Sequence, residues 1–248
     1  MAAMTHSVVA DVRVLFPKGL NTSTYLDINR FARSTSWAHG FMHAYALWLG
    51  LVLLTAVFVA VFAYVWWHRD VHAAVLMGLG GAGTLAALGL NQLVGHAARE
   101  LRPYATLHHA EVLVPRASDY AFPSDHAVVA GALATAVLIV AWRAAGAATE
   151  ALSVVGVLLA LLLCFARVYV GAHYPGDVVA GLLLGAAVVV VASLLRPIAY
   201  RLADLVEPTP VGVVLRRPGA LRTPEAALGA HDSSLPADPA RAYSERRS

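Results

Sequence analysis

"LWLGLVLLTAVFVAVFAYVWW" (residues 47–67) contains no Asp, Glu, Lys or Arg. A helix crosses a hydrocarbon core with roughly 20 apolar residues, and this stretch has that length. In lipid its backbone amides can be satisfied only within the element, so the stretch reads as a membrane-spanning helix. Trp66 and Trp67, followed by "HRD", sit where an aromatic belt and charged residues mark a bilayer surface.

Working outward, charge-free runs cover 34–68, 71–98, 126–142, 151–166 and 178–195. Spans are expected near 42–67, 71–97, 124–143, 148–171 and 175–196. The predicted fold is an all-α integral membrane protein, a bundle of about five transmembrane helices. Composition agrees: of 248 residues 59% are hydrophobic and only 13% charged, with a mean hydropathy of +0.66. A soluble domain carries about 25% charged residues. The net charge of +3 is spread over loops and a tail, which gives no reason to expect a nucleic-acid partner. The single cysteine, Cys164, excludes an intramolecular disulfide and a cysteine metal cluster. The first 20 residues lack a basic start followed by a sustained apolar core, so no cleavable signal peptide is expected and targeting rests on the first span.

Three regions are expected: 1–40, an N-terminal segment; 41–196, the membrane-embedded part; and 197–248, a tail. Residues 21–37 fit an interfacial amphipathic helix or, equally, a surface loop. The tail holds seven of the twelve prolines, many charges and few aromatics, the composition of a disordered segment. In the fifth span Gly181 and Gly185 lie four residues apart, a spacing that suits close helix packing.

Three polar clusters interrupt the apolar pattern: "GHAARELRPY" (95–104), "FPSDHA" (122–127) and "ARVYVGAHYPGD" (166–177). The second span ends in the first cluster and the third span starts from the second. The third span crosses away, the fourth returns, and the third cluster then links it to the fifth. All three therefore reach the same membrane surface. A lone His or Arg at a span end is ordinarily an interfacial anchor, but ionisable groups gathered this way are functional candidates.

Arg102 and Arg167 are permanent cations whose donor forks match phosphate oxygens. Ser124 adds a hydroxyl donor. Pro123 suits the first turn of a helix, whose N-terminus is a natural anion site. His126 and His173 exchange protons near neutral pH. Asp177, four residues after His173 and in the first turn of a helix opened by Pro175, is placed to accept the imidazole N–H. Such a set suits phosphoryl transfer through a histidine nucleophile.

"RP", "PSDH" and "R-x5-H-x3-D", in this order, resemble the signature of the type-2 phosphatidic-acid phosphatase superfamily over roughly residues 40–196. The resemblance implies a helical bundle and cofactor-free, metal-independent hydrolysis through a phosphohistidine. Arg102, Ser124 and Arg167 would hold the phosphate, His173 would attack phosphorus, Asp177 would orient it, and His126 would protonate the leaving oxygen. The chain departs from the family pattern at Gly95, where the motif has Lys; at Ala166, where it has Ser; and at Asp125, where it often has Gly. His96 and Arg99 are candidates to replace the missing charge. The stretch "NQLVGHAARELRPYATLHH" with "SDYAFPSDHA" is similar to bacterial undecaprenyl-diphosphate phosphatases of the bacitracin-resistance type. That subgroup removes the terminal phosphate of the polyprenyl carrier lipid used in wall synthesis. The resemblance thus implies a polyprenyl diphosphate substrate at the bilayer. Alternatives are phosphatidic acid, phosphatidylglycerol phosphate or another prenyl phosphate, or a non-catalytic lipid-handling membrane protein.

His108 and His109, with Glu111 and Asp119 nearby, fit a metal site, a headgroup contact or plain loop residues; adjacent histidines cannot share one helix face. Tyr104 and Tyr120 would line the mouth of the site or rest at the interface. Arg69, Arg143, Arg196, Arg201, Arg216, Arg217 and Arg222 fall on the side of the tail. The positive-inside tendency makes that side cytoplasmic and the active face extracytoplasmic, in a bacterial plasma membrane. Nothing in the sequence sets an oligomeric state.

Overall fold

The structure is a computed structural model that describes residues 18–107, 109–144 and 146–206. Every regular element among the described residues is helical: α1 (Lys18–Ser34), α2 (Ser36–Trp67), α3 (Val71–Ala98), α4 (Pro103–Thr106), α5 (Asp125–Ala144), α6 (Ala147–Tyr169), α7 (Pro175–Ser193) and α8 (Arg196–Val206). The chain is an all-α integral membrane protein. Helices α2, α3, α5, α6 and α7 are the five long and apolar enough to cross a membrane.

Local chemistry sets the helix ends. The Asp70 carboxylate accepts the Ala73 N–H at 2.8 Å and starts α3. That helix ends at Arg99, whose left-handed backbone returns its N–H to the Gly95 carbonyl. Tyr174 caps α7, Pro175 fills its first position, and the Asp177 carboxylate reaches back to the Tyr174 N–H at 2.9 Å. Helix α5 begins at Asp125, so Pro123 lies before the helix and not in its first turn; Ser124 is the flanking residue, its carbonyl accepting the Val128 N–H.

Helix α5 is the hub of the bundle and packs on α2, α3, α6 and α7. Its closest partner is α7, because glycines remove the side chains between them. A Cβ on Gly185 would run into the Val128 carbonyl, and one on Gly181 would stand 2.6 Å from the Ser124 carbonyl. The Gly181/Gly185 spacing is therefore packing. In lipid such close backbone approach replaces the hydrophobic drive that apolar solvent cannot supply.

Two helices flank the five spans. The helix alternative for residues 21–37 holds, with α1 starting at Lys18; it buries Tyr25, Asn29 and Ala32 against α6 and α7 and exposes Leu20 and Phe31. Helix α8 corrects the expectation that disorder begins at residue 197. Ile198 and Leu202, one turn apart, form an exposed apolar stripe, while Tyr200 on another face packs against His72, ring centroids 4.3 Å apart. An amphipathic repeat of this kind folds at an interface despite a proline at its start. A unit boundary falls between Ala203 and Asp204, and beyond it only Asp204–Val206 are described. The rest of the expected tail, 207–248, lies outside the described residues, as does His108.

Candidate active site

The crossing parity brings the end of α3, the start of α5 and the α6–α7 turn to one end of the bundle, and the side chains there meet. His173 is at the centre, 2% exposed. Its Nδ1 lies 2.8 Å from the Ala121 carbonyl, which can only accept, so Nδ1 carries the proton. Nε2 then holds the lone pair. Arg102 and Arg167 each place a guanidinium nitrogen 3.2 Å from that Nε2. Burial first, then the Arg167 and Arg102 charges, hold the imidazole well below its ordinary pKa. His173 is neutral at neutral pH, with its lone pair aimed into a cationic pocket.

The two arginines are fixed differently. Arg167 is buried in the last turn of α6 and donates to the Ala46 carbonyl at 3.1 Å; its Nε has no partner. Arg102, also buried, gives its Nε and Nη2 to the two oxygens of Asp119, each at 2.8 Å, and its Nη1 to the Ala172 carbonyl at 3.2 Å. Those hydrogen bonds hold the Asp119 carboxyl below the usual carboxylate range. Ser124 is fully buried, and its hydroxyl has no partner. A buried polar group without a partner costs about 1–3 kcal/mol. Ser124 Oγ and Arg167 Nε are thus two buried donors in search of an acceptor, both on residues picked for phosphate binding.

The acceptors for Arg167 and His126 come from α2. Between Tyr45 and Leu49 this helix widens into a π turn, a feature that recurs at functional sites. Its Ala46 carbonyl holds Arg167, and its Leu47 carbonyl accepts from His126 Nε2 at 3.3 Å. His126 therefore carries its proton on Nε2 and a lone pair on Nδ1.

Asp177 is reached differently from the sequence expectation. Its Oδ2 stands 3.5 Å from His173 Nδ1, and the 2.8 Å bond goes instead to the Ala121 carbonyl. The physical reason is the cap: the same Oδ2 is claimed by the Tyr174 N–H. Asp177 braces the turn that carries His173.

Two departures from the motif, at Asp125 and Gly95, have structural settings of their own. Asp125 Oδ1 accepts from Asn91 Nδ2 at 2.6 Å and Gln92 Nε2 at 2.9 Å, so two amides of α3 hold the carboxylate. Asn91 also donates to the Pro123 carbonyl at 3.1 Å and ties this loop to α3. At Gly95, α3 passes close to the Phe122 carbonyl, 3.3 Å from where a Cβ would stand. His96 and Arg99 are exposed and turn onto the end of their own helix: His96 Nδ1 on the Gln92 carbonyl at 2.8 Å, Arg99 Nε on the His96 carbonyl at 3.2 Å. The cationic pocket at His173 is built from Arg102 and Arg167.

Around this centre, α1 acts as a brace. Asn21 accepts the Gly176 N–H at 2.8 Å, and Asn29 exchanges two hydrogen bonds with the Glu111 backbone. Tyr25 packs on Tyr174 with ring centroids 5.3 Å apart, and Arg33 donates to the His109 carbonyl. Tyr104 OH bonds both the N–H and the carbonyl of Ala117, and Tyr120 meets the His96 ring. Among the described residues no three His, Cys, Asp or Glu side chains gather as a metal set. Asp119 is committed to Arg102 and Glu111 lies 4.0 Å from Arg33.

Residues 80–201 match the model of the PAP2 superfamily. Three curated relatives are similar. An undecaprenyl-diphosphatase of Sulfolobus acidocaldarius is 32% identical over 99 residues, 40% of this chain and 45% of the relative. Undecaprenyl-diphosphatase BcrC of Bacillus subtilis is 33% identical over 128 residues, 50% of this chain and 56% of the relative. The chain thus spans about half the length of these two. YbjG of Escherichia coli, assigned to the undecaprenyl-diphosphatases only provisionally by its name, is 30% identical over 175 residues, 68% of this chain and 78% of the relative. Among solved structures, a transmembrane PAP2-type phosphatidylglycerolphosphate phosphatase from Bacillus subtilis shares the fold, with a TM-score of 0.56 at 18% identity over 79% of this chain and 96% of that one.

Proposed function

Since the chain belongs to the PAP2 superfamily, we propose that it is a membrane lipid phosphatase that removes the terminal phosphate of undecaprenyl or a related polyprenyl diphosphate through a phosphohistidine. One observation carries the reading: the protonated Nδ1 of His173 is tied to the Ala121 carbonyl while its Nε2 lone pair points between two guanidinium groups. The polyprenyl substrate is favoured by the names of the three relatives. A prenyl chain stays in lipid while its diphosphate reaches a site at the helix ends.

In this mechanism Arg102, Arg167 and Ser124 hold the terminal phosphate, and Asp177 braces the His173 turn. The Nε2 lone pair attacks phosphorus in line as the bond to the bridging oxygen breaks. His126, protonated at Nδ1, gives that proton to the leaving polyprenyl phosphate. Neutral His126 then takes a proton from water; the hydroxide attacks phosphorus and the P–N bond breaks, freeing inorganic phosphate and His173. The guanidinium groups stabilise the charge on the phosphoryl oxygens in both steps.

The site opens on the extracytoplasmic face of a cell membrane, where hydrolysis of spent carrier diphosphate returns the carrier phosphate to wall synthesis; relief of bacitracin stress would follow from the same hydrolysis. Arg69 and Arg143 flank the opposite ends of the spans, and α8 carries Arg196 and Arg201 there. Cys164 is buried, so a cysteine at the exposed Ser118 can be tested with an impermeant thiol reagent on intact cells; labelling only after lysis would reverse the orientation.

The deciding experiment measures phosphate release by purified protein in detergent, with chelator, from undecaprenyl diphosphate, phosphatidic acid and phosphatidylglycerol phosphate. Preference for the diphosphate is expected. A preference for phosphatidylglycerol phosphate would move the assignment to the activity named for the structural neighbour. No release from any would leave a lipid-handling protein without catalysis.

A further inference from the structure

Arg102 offers five N–H donors, and the structure accounts for four of them. Two bonds go to Asp119, one to the Ala172 carbonyl, and one reaches His173 Nε2. The bond to Asp119 is bidentate, the geometry in which a guanidinium grips a phosphate. Its two partners differ in exposure. The Arg102 side chain is only 10% exposed, whereas the Asp119 side chain is 58% exposed on the loop between α4 and α5. The carboxylate therefore holds the outer face of a cation whose inner nitrogen touches the imidazole.

We propose that Asp119 is an internal anion that competes with the substrate's terminal phosphate for the guanidinium of Arg102. This rests on the phosphatase reading of the same site. With Asp119 in place, Arg102 has a single N–H to give and its charge is matched. When Asp119 withdraws, the fork, the Arg167 Nε and the Ser124 hydroxyl can serve the three free oxygens of a terminal phosphate. The exchange favours the phosphate: one carboxylate charge leaves the pair of guanidinium groups as a dianionic group arrives. The same competition acts on inorganic phosphate after hydrolysis, so the carboxylate speeds release of a product that two arginines would otherwise retain. Asp119 thus sets the anion affinity of the site without touching the substrate.

The test is phosphate and vanadate binding by the full-length protein in detergent, read as a thermal shift and as inhibition of turnover. Asp119→Asn removes the charge but keeps an acceptor for Arg102; Asp119→Ala removes both. A rise in phosphate affinity by about threefold to tenfold is expected in both, with KM lowered and kcat lowered by slow product release. Unchanged or weaker phosphate binding, with kcat lowered and KM raised, would overturn the proposal and make Asp119 a positioning residue for Arg102. Should Asp119→Ala fail to fold, Asp119→Asn carries the test alone. The binding arm needs no turnover: tighter phosphate binding without hydrolysis of any lipid would retain the anion exchange and sink only the enzymatic reading.

Discussion

His173 and His126 are both imidazoles at the same end of the bundle, each beside the start of a helix, and they are held in opposite ways. His173 is buried, with one nitrogen locked to the Ala121 carbonyl and the other between two guanidinium groups. His126 is partly buried and makes a single longer bond, 3.3 Å, to the Leu47 carbonyl of a π turn. The difference separates two tasks. A nucleophile needs a fixed lone pair and a pKa low enough to stay unprotonated. A group that gives and takes a proton needs freedom and access to water. In the proposed mechanism the locked ring is the nucleophile and the more loosely held ring is the proton carrier.

The hardest way to break this contrast is to remove the locked ring. His173→Ala should reduce turnover by at least about 10⁴-fold on every substrate, because its Nε2 is the lone pair held between Arg102 and Arg167. Monodisperse elution in detergent would show that the fold persists. Phosphate release within tenfold of the wild type would remove the phosphohistidine from the mechanism.

Removing the second ring sharpens the contrast. His126→Ala should cost about 10²–10⁴-fold on a polyprenyl diphosphate, the usual worth of a positioned acid or base. The loss should shrink on p-nitrophenyl phosphate, whose leaving group departs without a proton. An equal loss on both substrates would show that His126 holds the pocket's shape and moves no proton in the first step.

The contrast was half legible in the sequence. The five spans follow from charge-free runs, and counting crossings places residues 102, 126, 167 and 173 on one side before any contact is known. Pro175 marks the start of α7. What distinguishes the settings of the two rings is not carried by side-chain identity at all. The acceptors for His173, Arg167 and His126 are the carbonyls of Ala121, Ala46 and Leu47, and a carbonyl belongs to every residue. Asp119 stands 17 residues from Arg102 across a loop, with no periodicity to link them. Asn91 and Gln92, adjacent amides inside an apolar span, are a signal that the sequence reading did not use; both donate to Asp125. In α8 the apolar stripe was hidden because prolines and arginines dominate the composition of the segment that follows.

The smallest effect comes from the proton that His173 does not take up. Its folded pKa is pushed down by burial and by Arg167 and Arg102, while in the unfolded chain it titrates near 6.5. Above that value both states are neutral and this residue adds no pH dependence. As pH falls below about 6.5 the unfolded chain binds a proton that the native state refuses, so stability falls by up to about 1.4 kcal/mol per pH unit from this group. The loss continues until the depressed folded pKa is reached. Other parts of the chain add their own pH dependence, so the informative quantity is a difference. Melting temperatures at pH 7.5 and 5.5 should drop more for the wild type than for His173→Gln, which has no proton to refuse. Turnover, in contrast, should survive through pH 6.5, because the nucleophile stays neutral there. Equal melting shifts in the two proteins would mean that the ring at 173 is free to charge, and the lock that distinguishes it from His126 would not exist.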